Sequence, residues 1–167
     1  AKAMAAGCFH HVSSIAAAGL YKGTFTEDMF EEATGLDNPY YRTKHDAEAL
    51  VRRETGIRWR IYRPGVVVGH SATGEMDKVD GPYYFFPAIR QVSSALPGWL
   101  RAIGVRGGSI NIVPVGFVVD AMDYLMHLRG HDGETFFLTD PEGISTGDLI
   151  RVLLQVSRGP KLSVVKG

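Results

Sequence analysis

The chain has 167 residues, 45% hydrophobic and 22% charged, an ordinary composition for a globular protein with a core of its own. Its 18 basic and 18 acidic side chains cancel to a formal net charge of zero, so no basic surplus points to nucleic acid or to an anionic membrane surface. Cys8 is the single cysteine, which excludes an internal disulfide, fits a reducing, cytoplasmic compartment and reads as a buried inert thiol; no apolar run approaches the ~20 residues of a membrane span.

Residues 1–6 are small helix formers stopped by Gly7 and read as the last turns of a helix. Phe9 to Ser14 reads as a short strand ending in two hydroxyls, followed by the small-residue turn Ile15 to Gly19. The acidic stretch up to Leu36, with Glu27, Asp28, Glu31 and Glu32, reads as a solvated loop with a short helical turn. Pro39 then suits the first turn of a helix, and neither proline nor glycine interrupts residues 40–55, so a helix is expected through Arg53. Tyr40 and Lys44 stand four residues apart on one face of it. At about 5 Å and an effective dielectric near 20, the ammonium stabilises a phenolate by roughly 3 kcal/mol, the arrangement a proton-transferring tyrosine needs. Ala47, Leu50 and Val51 are the expected buried stripe, with Arg42, His45, Asp46, Glu48, Arg52 and Arg53 in solvent.

Trp59 to Gly65 reads as a strand running into an Arg63-Pro64-Gly65 turn, and Gly69 to Gly74 as a polar loop bounded by glycines. Met76 to Trp99 is expected on the substrate side: a turn at Asp77 to Pro82, an aromatic cluster containing Tyr83 and Tyr84, and a short helix over Ala88 to Ala95. Ser109 to Pro114 reads as one strand. Val115 to Leu128 reads as a helix with Val118, Val119, Met122, Leu125 and Met126 on its apolar side. Glu134 to Thr139 is a further strand, Ser145 a cap for a helix to about Val156, and Leu162 to Val165 a terminal strand. His10, His11, His127 and His131 lack partners at metal spacing, so no metal site is expected.

The serine strand, the Tyr40-x-x-x-Lys44 helix and the Arg-Pro-Gly turn, in that order, resemble the C-terminal part of an extended short-chain dehydrogenase/reductase. This superfamily of nicotinamide-dependent enzymes includes sugar epimerases and dehydratases. The resemblance implies an α/β fold with a doubly wound parallel sheet, and a catalytic set of Ser14, Tyr40 and Lys44. It implies cofactor contacts from Tyr40, Lys44, Pro64, Gly65 and Val66, with NADP or NAD as cofactor. Gly69-His70-Ser71-Ala72-Thr73-Gly74 is similar to the Gly-Asp-Ser-x-Thr-Gly segment of the thioester reductase and fatty acyl reductase branch, with His70 in place of aspartate. That branch implies a small-molecule acyl thioester substrate, with Ser14, His70, Tyr83 and Tyr84 expected to face it; a homodimer is a separate expectation that the resemblance does not fix. The family's Pro-Val-Asp is Pro114-Val115-Gly116 here, so the aspartate that caps the following helix is absent.

No Gly-x-Gly-x-x-Gly or Gly-x-x-Gly-x-x-Gly loop occurs in the sequence. The expectation is therefore a single partial domain, residues 1–69 carrying the Ser/Tyr/Lys set and residues 70–167 being mainly substrate-side, with an N-terminal half present in the full protein. A sugar-nucleotide epimerase or dehydratase, and a non-catalytic remnant serving as an interaction module, are the alternatives.

Overall fold

The computed structural model describes residues 5–76, 102–105, 108–156 and 163–166. The chain forms two compact units, residues 1–65 with 115–139, and residues 66–114 with 140–167.

The first unit is built on three parallel strands in the order β1 (Cys8–Val12), β2 (Arg58–Pro64), β7 (Glu134–Leu138). Phe9 lies opposite Trp59, and Tyr62 opposite Phe136. Parallel neighbours need a crossover, and helix α1 (Pro39–Arg52) supplies the one between β1 and β2. As the central strand, β2 is buried at every residue from Arg60 to Pro64. Other buried hydrophobic residues of this unit are Ala17, Phe30, Val51, Val118 and Leu138. Helix α2 (Val115–His127) ends against Arg60, whose guanidinium donates to the carbonyls of Leu125 and Leu128 and to Asp132, so a buried cation satisfies a helix C-terminus.

Local chemistry explains where α1 starts. The Asn38 side chain accepts the Tyr40 N–H at 2.9 Å and Pro39 takes the first helical position. Upstream, Ser14 is the N-cap of a 3-10 helix, Ile15–Ala18, its Oγ accepting the Ala16 N–H at 3.1 Å. Gly19 closes that helix at φ 63°, where an added Cβ would lie 2.0 Å from the Thr34 carbonyl oxygen.

In the second unit β3 (Val66–Val68) pairs in parallel with β6 (Ile112–Pro114), β4 (Ala102–Val105) in parallel with β9 (Ser163–Lys166), and β5 (Ser109–Ile110) antiparallel with β8 (Ile144–Ser145). Helix α3 (Thr146–Val156) follows Ser145, whose Oγ accepts the Asp148 N–H at 3.0 Å. Val113, Leu153 and Leu154 are buried here.

Several expectations are corrected. The strand expected over residues 109–114 is two strands with different partners, because Asn111 turns its amide to Asp140, donating to its carbonyl at 2.7 Å and accepting its N–H at 3.0 Å. Ala5 sits at φ 50° in a turn, so the helix expected over residues 1–6 does not reach it; residues 1–4 lie outside the described residues. Leu50 and Val119 are exposed, not buried. The acidic stretch is not simply solvated: Phe30 is buried, and the Glu27 carboxylate accepts the Phe137 N–H at 2.8 Å from the edge strand β7. Cys8 is half-buried rather than buried; desolvation first, then the Asp132 charge, pushes its thiol up and keeps it protonated. The turn and helix expected between Asp77 and Ala95 lie outside the described residues.

Candidate functional site

Ser14, Tyr40 and Lys44 all belong to the first unit. The 3-10 helix that Ser14 caps packs against α1, which carries Tyr40 in its first turn and Lys44 one turn later. Ser14 is half-buried with extended backbone, φ −167° and ψ 158°, which brings its hydroxyl out at the carboxyl end of β1. Tyr40 is exposed, its ring 6.3 Å from that of Tyr41, and Lys44 is half-buried. Among the described residues neither the Tyr40 hydroxyl nor the Lys44 ammonium has a hydrogen-bond partner. Lys44 lies close enough to His11 for its charge to act there: burial lowers the His11 pKa, Glu48 opposes and Lys44 adds to the lowering.

Pro64 and Gly65 close β2 at its carboxyl end, where parallel sheets offer ligands their loops. The Gly65 N–H is already donated to the Leu138 carbonyl at 3.1 Å and the Val66 N–H to Asn111 at 2.7 Å. Both N–H groups of the turn are thus engaged within the chain, and the sequence holds no glycine loop for the pyrophosphate of a dinucleotide.

In the second unit, His70 is exposed within a tight loop where its N–H donates to Glu75 and its carbonyl accepts from Gly74, itself at φ 71°. Its Nδ1 accepts the Ala72 N–H at 3.2 Å, the service an aspartate carboxylate gives in an Asx turn. The histidine therefore keeps the loop's geometry and removes a negative charge. Tyr83 and Tyr84 lie outside the described residues. No group of His, Cys, Asp and Glu among the described residues could hold a metal.

The exposure of a site neighbour, Glu48, was also misread from the sequence. Glu48, expected in solvent, is fully buried, where α1 meets Arg63 of the central strand and Ser13 at the end of β1. Its carboxylate accepts from Ser13 Oγ at 2.8 Å, from Arg63 at 2.6 and 3.2 Å, and from Arg52 at 3.0 and 3.2 Å. Burial raises its pKa, but the hydrogen bonds and charge of Arg63, helped by Ser13 and Arg52, outweigh this and hold the carboxyl below its ordinary range. The i+4 spacing from Lys44 and the arginine of the Arg-Pro-Gly turn were the available signals.

A parallel sheet with a serine at one strand end and a Tyr-x-x-x-Lys helix beside it defines a Rossmann-type protein of the short-chain dehydrogenase/reductase class. The family described as male sterility protein, an NAD-binding family, matches residues 1–122, and the chain belongs to it. It stands with the thioester reductase-like branch of the extended short-chain dehydrogenase/reductases. The L-2-aminoadipate reductase of Saccharomyces cerevisiae is 35% identical over 95 residues, covering 56% of this chain and 6% of that protein. The non-canonical nonribosomal peptide synthetase FrzA of a Cladobotryum species is 28% identical over 162 residues, 89% of this chain and 15% of that one. The chain thus spans a small part of the curated relatives it matches. Among solved structures, the terminal R domain from the myxalamid PKS-NRPS biosynthetic pathway superposes with a TM-score of 0.73 at 23% identity, over 95% of this chain and 39% of that chain. RMD from Pseudomonas aeruginosa, solved with NADPH, gives 0.62 at 22% identity, over 99% of this chain and 56% of that chain. These likenesses show the fold. No helix among the described residues is long and apolar enough to cross a membrane.

Proposed function

We propose that this chain carries the proton-transfer half of an NADPH-dependent acyl thioester reductase. The observation that carries the reading is the placing of Ser14, Tyr40 and Lys44 on packed neighbouring elements of one unit, with the Tyr40 hydroxyl and Lys44 ammonium unpartnered among the described residues. A bound reduced nicotinamide supplies the hydride that the carbonyl carbon of the thioester receives. Ser14 hydrogen-bonds the carbonyl oxygen, Tyr40 delivers a proton to it, and Lys44 stabilises the phenolate left behind and takes the cofactor's ribose. Cleavage of the C–S bond then releases thiol and aldehyde. Pro64 and Gly65 are assigned to the carboxamide in the same proposal.

NADPH as donor, a cytoplasmic setting and homodimeric assembly belong to the same proposal, as does a further segment with a glycine-rich loop to hold the pyrophosphate. The test is product analysis with NADPH and an acyl N-acetylcysteamine thioester, in a polypeptide joining this chain to such a loop. Stoichiometric aldehyde and thiol are expected. Turnover of a UDP-sugar without net cofactor consumption would replace this reading by the epimerase one.

A further inference from the structure

Glu48, Arg63 and Ser13 are 0%, 0% and 3% exposed, an ion pair and a hydroxyl buried together. A buried ion pair is a weak source of stability, since desolvation of both partners offsets their attraction, and an apolar pair of similar volume commonly does as well. What such a pair does supply is geometry, because each bond fixes a direction. Here the directions are informative. Arg63 binds both Glu48 oxygens and also donates to the Met29 carbonyl at 3.0 Å, while Ser13 takes the Oε2 side and Arg52 continues from Oε1 to Thr135 at 2.7 Å.

We propose that Glu48 is the positioning residue of the site, joining the three elements that bear it at a single carboxylate. Ser13 precedes Ser14, Glu48 lies one turn beyond Lys44, and Arg63 precedes Pro64 and Gly65. Ser14 and Pro64 are thus each next in sequence to a ligand of that carboxylate, and Lys44 and Tyr40 lie one and two helical turns before Glu48 on the same helix. Neutralising it frees the strand end, the helix and the turn to move independently. Touching neither substrate nor cofactor, it sets their distances.

This inference rests on the reductase reading for its consequence in turnover, but its structural part is tested on the chain itself. Amide exchange is compared among wild type, Ser13→Ala, E48Q and a remote core control, Val118→Ala. The amides of Ala16, Ala17 and Gly19, bonded within the Ser14 turn, should exchange about tenfold faster in Ser13→Ala and E48Q and unchanged in the control at equal loss of global stability. Equal loosening in all three variants overturns the proposal. In turnover, the isosteric pair Glu48→Met with Arg63→Met should keep stability near wild type yet lower kcat roughly tenfold with the thioester KM within about twofold. An unchanged kcat in that variant also overturns it. Absence of reductase activity in the wild-type polypeptide that joins this chain to a glycine-rich loop defeats the functional reading instead, and leaves the exchange comparison to decide this one.

Discussion

His10, His11 and Glu48 tie the protein's stability to pH, in two separate ranges. Burial lowers the pKa of both histidines, with the Arg60 charge adding to the effect at His10 and the Lys44 charge at His11, so the unfolded chain takes up protons first. Stability is therefore complete above the ordinary histidine value of 6.5 and falls as pH drops below it. Glu48 is also lowered, from an ordinary 4.5, so its contribution is complete above that value and is lost as pH falls further towards its folded-state value. Urea midpoints measured from pH 8 to pH 3 should decline in two stages. Replacing both histidines by glutamine should flatten the first stage only, and a midpoint constant between pH 7 and pH 5 in wild type would contradict the assignment. At Lys44, substitution by methionine should lower both turnover and cofactor affinity in a cofactor-complete polypeptide, because the same ammonium is assigned to the tyrosine and to the ribose; loss of one without the other would separate those roles.

The elements divide into those the local sequence dictates and those it does not. Helix α1 is of the first kind: Asn38 and Pro39 announce its start, and Asn38→Ala should cost about 1 kcal/mol in a denaturation experiment. Gly19 is a stricter local requirement. At φ 63° with Thr34 2.0 Å from an added Cβ, Gly19→Ala should destabilise by more than the ~1 kcal/mol of conformational strain alone; a change within 0.5 kcal/mol would mean the turn relaxes freely. β2, β7 and α2 were likewise legible, since periodicity and flanking glycines suffice for them. β4 was not, because its partner β9 is some sixty positions away and no local pattern announces the pairing. Nor was the break at Asn111, which depends on Asp140, nor the burial of Glu48, which needs Arg63 from another element. In each case a tertiary partner overrode a sound local reading. The placing of Tyr40 and Lys44 on one helix was legible because an uninterrupted four-residue spacing needs no distant partner.

At the scale of the whole molecule the cofactor is the missing term in the energetics. The proposed function assigns Lys44 to a dinucleotide's ribose, and the 167 residues hold no glycine loop for its pyrophosphate. Fluorescence titration of the chain by itself with NADPH should therefore show no saturable binding at micromolar concentration, and saturation there would mean that a pyrophosphate site of another kind is present. The measurement closest to the central claim is single-turnover NADPH oxidation with an acyl thioester, comparing wild type and Tyr40→Phe in a polypeptide that includes such a loop. The substitution removes one phenolic oxygen. The account predicts a hydride-transfer step slowed by roughly 100-fold or more at nearly unchanged NADPH affinity; an undiminished rate in Tyr40→Phe would contradict it.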